Sequence, residues 1–381
     1  MKVLSIWDRH HASASAIEQG LINQGAKLES VVRSLVVDVE SLEPWVTYLR
    51  SDPLEMRNRS TLMEKLLRVL SHQRFKLLVR ARIRNQRPDV ILVHFGQTGA
   101  RFIRMAARKK IPIVIGFYGH DVSAALQSRR WLWNYRKFVK FNCTLIAMCE
   151  EARQRLISIG CTANQIEIWN IPINFNQYPL TKRQYSGGNV TAITCARFIE
   201  KKGYPRLFSA MSELKNQGIL LNLEAIGYAG NLTVLKTAAE GYGVAEQIVW
   251  HCDLTGVAFH EIYSQLLAKS DLFLLAAMPA ENGDDEGGAP LSVITAQATG
   301  IPIITTQFTG FETTLIQGET GFLCKEPVIN SIVEYVKDYI GKAPYFHKIG
   351  IEGSKKARSE FDFVRQSEKL YAILQDTQTV H

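Results

Sequence analysis

The sequence has 381 residues, 46% of them hydrophobic, and a formal net charge of +9. A chain of this length fits two domains of about 150–200 residues each better than one core. Its six cysteines form no C-x-x-C pair and no zinc-type ladder with histidine, which argues against a disulfide framework or structural metal and favours reduced, cytosolic thiols. No apolar run reaches the ~18 residues of a membrane span or forms a signal peptide, so we expect a soluble or peripheral protein.

The first half of the chain alternates short β-branched runs with helical stretches. Strands are predicted over 2–7, 89–95, 111–117, 143–149 and 166–169, and helices lie between them, for example over 98–109 and 150–159. This alternation is typical of a parallel, doubly wound α/β sheet.

A strongly basic segment, 50–87, interrupts this alternation. It holds nine Arg and two Lys against three acidic residues, a net charge of +8, and the rest of the chain is close to neutral in total. A long helix is predicted within it, opening at Ser60 or Thr61. A basic amphipathic helix suits an anionic membrane surface, and the alternative is an ordinary solvated helix face. Nucleic acid is not an expected partner, because no zinc-finger, helix-turn-helix or RNP-type pattern accompanies the charge.

The alternation stops over 174–189, which is rich in polar and turn residues, and then begins again. Strands are predicted over 190–196, 219–227, 248–251, 271–277, 301–306 and 321–324. Two Rossmann-like domains are therefore predicted, over 1–180 and 181–362, with a final helix over 363–381 packing back on the first domain. Ligands of such sheets bind at the carboxyl ends of the strands, so chemistry is expected in the loops that follow strands.

The loop after the strand at 190–196 combines cations with a helix start. In RFIEKKGYPRLF, Arg197 and Lys202 flank a turn, and Gly203 precedes a helix. Fixed positive charge and the partial charge of a helix N-terminus both favour an anion, which predicts a diphosphate site. The alternative is a pair of surface cations that solvate the loop. Gly227, at the end of the next strand, would let a ligand or a turn approach the backbone.

An acidic loop opens the segment DDEGGAPLSVITAQATG, residues 284–300. Glu286 is followed by Gly287, Gly288 and Ala289 and then by a helix, whose exposed N–H groups would favour an anion. The alternative is that the three acids only compensate the helix dipole.

Together these segments resemble the family 4 glycosyltransferases, retaining enzymes with the GT-B fold, in which two Rossmann-like domains face each other across a cleft. RFIEKKG is similar to the family's phosphate-binding turn. EGGAPLSVITAQATGIPIITT, followed by GETGFLC, is similar to its donor-loop motifs. In the first half, VHFGQTGARFI and FYGHDVS resemble loops of members that build bacterial exopolysaccharide and lipopolysaccharide chains.

The resemblance implies that the second domain holds a nucleotide sugar. Arg197 and Lys202 would bind its diphosphate, and Glu286 would bind the sugar hydroxyls. Gly287, Gly288 and Ala289 would let the ligand approach the backbone. Glu281 competes for that role, because the loop is one residue longer than its commonest form. Thr295 stands where the family usually has a second glutamate for the ribose, so the ribose contact should be weaker or different.

The same resemblance places the acceptor on the first domain. His120 and Asp121 are expected to contact the transferred sugar or the acceptor, and His94 is the next candidate. The first loop carries DRHH where many members have a glycine pair. We expect Arg9, His10 and His11 in this loop to contact the acceptor or the phosphate.

The implied reaction displaces a nucleoside diphosphate with retention at the anomeric carbon. Its acceptor would be a polyprenyl-phosphate-linked or other glycan at the inner face of the plasma membrane. No cofactor or metal is expected, because no D-x-D motif follows a strand. A nicotinamide-dependent dehydrogenase is excluded by the lack of G-x-G-x-x-G after the first strand. The remaining alternative, suggested by Thr295, is a non-catalytic paralogue that binds nucleotide sugar as the partner of an active transferase.

Overall fold

Parallel strands alternating with helices run through both halves of the chain. The computed structural model describes residues 1–10, 12–35, 46–48, 62–185, 187–228, 230–252, 254, 256–288 and 290–379. The chain divides into unit 1, which comprises Met1–Pro172 with Val364–His381, and unit 2, Ile173–Phe363. None of the helices within the described ranges combines the length and apolar character needed to cross a membrane.

Unit 1 is a seven-stranded α/β unit. Its elements are β1 (Lys2–His10), α1 (Ala12–Asn23), β2 (Lys27–Leu35), β3 (Val46–Tyr48), α2 (Leu62–Gln86), β4 (Val90–His94), α3 (Gly96–Lys109), β5 (Ile113–Gly116), α4 (Ala124–Gln127), α5 (Arg129–Lys140), β6 (Thr144–Ala147), α6 (Glu150–Ser158), β7 (Ile166–Ile168) and, from the end of the chain, α13 (Phe363–Thr379). The strand order is β3-β2-β1-β4-β5-β6-β7, and every pairing is parallel. The direction of winding therefore reverses between β1 and β4, where such sheets bind ligands.

Unit 2 repeats this plan with six strands. Its elements are β8 (Val190–Cys195), α7 (Tyr204–Asn216), β9 (Leu221–Gly227), α8 (Leu232–Gly241), β10 (Ile248–Cys252), α9 (Gly256–Lys269), β11 (Leu272–Leu275), α10 (Leu291–Ala298), β12 (Ile303–Thr306), α11 (Phe311–Thr314), β13 (Phe322–Cys324) and α12 (Val328–Glu360). The parallel order β10-β9-β8-β11-β12-β13 reverses between β8 and β11. The predicted fold class, two Rossmann-like units with parallel sheets, is confirmed.

Every strand predicted from the sequence is present, because the central strands of both sheets are short apolar runs covered on both faces. All five residues of β4 and all four of β11 are buried. Two strands, β2 and β3, were not predicted. The helix predicted in the basic segment corresponds to α2, whereas residues 50–61 lie outside the described part of the chain.

The last helix, α13, completes unit 1. The indole N–H of Trp169 donates to the backbone carbonyl of Gln366 at 2.8 Å, and Thr144 and Thr377 share a hydroxyl hydrogen bond of 2.8 Å. Unit 1 is consequently built from two segments that are far apart in the sequence.

Candidate active site

The turn between β8 and α7 is packed against the end of β11. Gly203 has φ +66, and a Cβ atom placed there would lie 1.8 Å from the carbonyl oxygen of Ala276. No other residue type fits without moving the backbone. This contact holds the cationic turn Glu200–Lys202 at the point in unit 2 where the strand order reverses.

Lys202 and Glu286 form an ion pair that joins the phosphate-binding turn to the donor loop. The Lys202 Nζ atom lies 2.6 Å from Glu286 Oε1, and only 9% and 11% of the two side chains are exposed. Glu281, the competing acid, is exposed, and its backbone N–H donates to Glu200 Oε1 at 3.0 Å. Of the two acids, Glu286 is therefore the one paired with Lys202, a residue predicted to bind phosphate.

Lys201 is a site residue that the sequence analysis did not select. Its Nζ donates to the Asp285 carbonyl at 2.6 Å and lies 3.2 Å from Asp284 Oδ2, with 6% of the side chain exposed. The hydroxyl of Thr309 donates to Asp285 Oδ2 at 2.8 Å. The adjacent lysines of the KK pair thus hold successive residues of one acidic loop, and that pair is the sequence signal that could have identified Lys201.

Two of the three carboxylates of the acidic loop, those of Asp284 and Glu286, are paired with lysines of the turn. Buried carboxylates are costly unless they are paired, and each lysine supplies a charge-assisted contact to the loop. Beneath them, burial raises the pKa of the Cys195 thiol to about 12, with the positive charge of Lys202 opposing the shift. The Cys195 thiol therefore stays protonated at neutral pH and adds no negative charge beside Lys202.

The other predicted donor residues have different surroundings. Arg197 is exposed, and no carboxylate pairs with it among the described residues. Gly287 and Gly288 are buried, whereas Ala289 lies outside the described part of the chain. Gly227 is required for strand packing, since a Cβ atom there would lie 2.3 Å from the Ala196 carbonyl oxygen.

Thr295 is buried in α10, and its hydroxyl bonds to its own helix. The Oγ1 atom donates to the carbonyls of Leu291 and Ser292 at 3.0 and 3.1 Å. The hydroxyl proton is therefore used within the helix, which leaves only lone pairs for a ligand. The predicted ribose contact stays a prediction.

In unit 1, His94 lies in a buried aromatic and polar network at the end of β4. Its ring stacks on Trp7 with a centroid distance of 3.4 Å, and its Nε2 lies 3.3 Å from Ser5 Oγ. The buried carboxylate of Glu18 accepts from Ser5 Oγ at 3.2 Å and from Trp7 Nε1 at 2.9 Å. The His94 side chain is fully buried, so an influence on the acceptor must pass through its neighbours.

The neighbour of His94 in the predicted loop is Tyr118. Its hydroxyl lies 2.7 Å from His94 Nδ1. Burial raises the pKa of Tyr118, and the nearby Asp121 carboxylate adds to that shift, so the phenol stays protonated at neutral pH. Because the Ser5 hydroxyl donates its proton to Glu18, Ser5 accepts the hydrogen bond from His94 Nε2–H. The other ring nitrogen, Nδ1, then has no proton and accepts from the Tyr118 hydroxyl.

Asp121 organises the loop that contains it. Its Oδ2 accepts the Gly96 N–H at 3.0 Å, and its Oδ1 accepts the N–H groups of Tyr118 and Gly119 at 2.9 Å each. Burial raises the pKa of Asp121, while these backbone hydrogen bonds oppose the shift. His120 beside it is exposed.

The first loop follows β1. Arg9 and His10 are the last residues of β1, and His11 lies outside the described part of the chain. Across the described residues, no group of three or more His, Cys, Asp or Glu side chains is arranged to hold a metal ion. The contacts predicted for Arg9, His10 and His11 stay predictions. The expectation that the reaction needs no metal also stays a prediction.

Known proteins resemble this chain along most of its length. The family described as "Glycosyltransferase Family 4" matches residues 42–177, and "Glycosyl transferases group 1" matches residues 182–356. The amylovoran biosynthesis glycosyltransferase AmsK of Erwinia amylovora is 28% identical over 264 residues, which cover 67% of this chain and 63% of AmsK. The match thus spans less than two thirds of that relative's length.

Solved structures share the fold at low identity. Sucrose-phosphate synthase from Thermosynechococcus elongatus has a TM-score of 0.80 at 14% identity and covers all of both chains. HepE from Anabaena, solved in complex with UDP-glucose, has a TM-score of 0.72 at 16% identity and covers 99% of this chain and all of HepE. With both family descriptions matched in order along two Rossmann-like units, the chain belongs to the family 4 glycosyltransferases of the GT-B fold.

Proposed function

We propose that this glycosyltransferase moves a sugar from a nucleotide-sugar donor to a hydroxyl of a lipid-linked saccharide, with retention, in the synthesis of a cell-surface polysaccharide. The observation that carries the donor assignment is the Lys202–Glu286 pair, which joins a cationic turn to an acidic loop where the unit 2 strand order reverses. The name of AmsK supports a role in polysaccharide synthesis, and the UDP-glucose complex of HepE supports a nucleotide-sugar donor.

The donor binds in this proposal by exchanging ion-pair partners. The diphosphate meets the Lys202 ammonium and the exposed guanidinium of Arg197, while Glu286 turns its carboxylate to the sugar hydroxyls. Negative charge grows on the leaving diphosphate in the transition state, and fixed cations in a partly buried site stabilise that charge most. Lys201 keeps the acidic loop in place during the exchange, since its contacts are to Asp284 and the backbone of Asp285.

The acceptor proton leaves to the departing phosphate on the same face of the sugar. The retained configuration then requires no pair of carboxylates at glycosidase spacing. Neither a metal nor a cofactor takes part in this scheme. On unit 1, the loop held by Asp121 presents His120 and Tyr118 as the groups nearest the acceptor.

The proposed location is the inner face of the plasma membrane. The acceptor is then a polyprenyl-phosphate-linked glycan, and the basic helix α2 contributes attraction to the anionic surface.

The test is a turnover assay of the purified protein against a panel of nucleotide sugars with a lipid-linked acceptor extract. We expect one donor to be consumed with release of its nucleoside diphosphate, and a product whose anomeric configuration, read by NMR, equals that of the donor. An inverted product would contradict retention. Tight nucleotide-sugar binding by calorimetry without turnover would identify the non-catalytic paralogue instead.

A further inference from the structure

A second basic region follows the one predicted from the sequence. Residues 88–149 carry ten Lys and Arg against only Asp89 and Asp121, a net charge of +8 equal to that of 50–87. The net charge of the chain outside 50–87 is nevertheless close to zero, because acidic residues elsewhere offset the positive charge of 88–149. Nine of its ten cations lie on α3 and α5, neither of which contains an acidic residue.

Helices α2 and α3 enclose a cationic groove of about 590 Å³. α2 contributes Lys76, Arg80 and Arg84 to its walls, and α3 contributes Arg101, Arg104 and Arg108. No carboxylate lines the groove within the described part of unit 1. Its floor is apolar, because Phe102 is buried there and packs edge-on against Phe75 of α2 at 5.5 Å.

Helix α5 extends this basic surface beyond the groove. Lys137 donates to the Ala100 carbonyl of α3 at 3.0 Å. Burial lowers its pKa, and the positive charges of Arg104 and Lys76 lower it further, so cations from all three helices lie within electrostatic reach of one another. An anion placed among them would relieve this repulsion.

Large apolar side chains stand among the same cations. Trp133 on α5 is 61% exposed, with the Lys137 ammonium 5.9 Å from its ring centroid, and Leu77 on α2 is 60% exposed. Exposed tryptophan beside Lys and Arg is typical of surfaces that enter the headgroup layer of a bilayer. A small soluble anion would use the cations and leave these apolar groups in water.

We propose that α2, α3 and α5 form one docking surface for an anionic membrane. The α2–α3 groove takes lipid phosphates, and Trp133 and Leu77 enter the interfacial layer. This inference rests on the proposed function for its choice of a membrane as the partner, and it extends the attachment from the segment 50–87 to two helices outside it.

The test is cosedimentation of the full chain with vesicles of phosphatidylglycerol and phosphatidylcholine at low salt. Each Lys or Arg at an anionic surface contributes about fivefold to partitioning. We expect Arg104→Gln/Arg108→Gln and Arg80→Gln/Arg84→Gln each to lower partitioning about 25-fold. The matched control is Lys182→Gln/Lys236→Gln, which removes two exposed cations from unit 2 and should stay within about twofold of wild type.

A second readout examines the apolar part of the surface. Trp133→Phe should lose most of the blue shift in tryptophan fluorescence that vesicles induce in the wild type. Partitioning of Arg104→Gln/Arg108→Gln equal to the control would restrict attachment to α2 and overturn the composite surface. Wild-type indifference to phosphatidylglycerol would overturn it as well. Displacement of the wild type from vesicles by a DNA oligomer, with no blue shift at Trp133, would assign the surface to a soluble polyanion.

Failure of the proposed function gives a different result. Calorimetry with UDP, GDP, ADP, CDP and dTDP on the same variants reports donor binding in unit 2, which these substitutions leave untouched. Vesicle binding without any nucleotide binding would overturn the proposed function and leave the docking surface standing.

Discussion

The two units share a strand order but differ in the chemistry at the point where that order reverses. In unit 2, Lys201 and Lys202 are paired with carboxylates and a carbonyl of one acidic loop. In unit 1, the corresponding position holds the stacked rings of Trp7 and His94 in a buried network. The same strand order therefore occurs twice, and the side chains at the reversal point differ: unit 2 has ion pairs there, and unit 1 has a buried aromatic and polar network.

The largest expected effect tests whether the unit 1 site is structural. Asp121→Ala should lower the free energy of unfolding by about 3 kcal/mol, because three backbone N–H groups lose their acceptor in a buried loop. Urea unfolding measures this change, with Glu368→Ala as an exposed acidic control in the same unit. Unchanged stability together with a raised KM for acceptor would show instead that Asp121 contacts substrate.

The next effect tests whether the unit 2 site binds charge in the transition state. Lys202→Ala and Arg197→Ala should each lower kcat/KM at least thirtyfold, about 2 kcal/mol, through loss of a charge-assisted contact to the diphosphate. Lys215→Ala removes an exposed cation at the far end of α7 and should change little. Near-normal turnover in both variants would refute the assignment.

A smaller effect distinguishes the two lysines of the KK pair. Because Lys201 holds the loop, Lys201→Ala should raise the donor KM about five- to tenfold, about 1 kcal/mol, with kcat within about twofold. Lys201→Arg should restore most of the loss. A fall in kcat as large as that of Lys202→Ala would mean that Lys201 touches the donor itself.

The smallest effect concerns the ribose side of the donor site. Thr295→Val should change nucleoside diphosphate affinity by less than about twofold, because the hydroxyl already bonds within α10. Thr295→Glu should weaken binding, since it buries a carboxylate without a partner. Calorimetric titration measures both, and tighter binding by Thr295→Glu would show that a ribose contact is merely missing in this chain.

The sequence predicted the central strands well but not one side of the first sheet. β4 and β11 are apolar runs that need both faces covered, so composition alone identifies them. β2 is KLESVVRSL, in which charged residues interrupt the pattern, and Glu29 is paired with Arg82 of α2 at 3.0 Å. A strand that carries such an ion pair to a distant helix lacks the local alternation of apolar and polar residues that identifies strands.

The same distinction applies to the sites. Arg197, Lys202 and Glu286 belong to motifs whose residues lie close together in the sequence, so sequence analysis can identify them. The stacking of Trp7 on His94 joins residues 87 positions apart along the chain, and no local pattern indicates that contact. The choice between Lys201 and Lys202 likewise depends on which acid each ammonium meets, and only the three-dimensional structure shows those contacts.

The discontinuity of unit 1 affects how the protein is made. Unit 2 is one continuous stretch, Ile173–Phe363. Unit 1 also requires α13, whose Gln366 carbonyl accepts the indole N–H of Trp169. Because α13 is translated after unit 2, unit 2 can reach its final state while unit 1 still lacks α13 and exposes an apolar surface. Of the two units, the one that is translated first is thus finished second, and nascent chains of this protein should depend on chaperone protection until α13 has emerged from the ribosome.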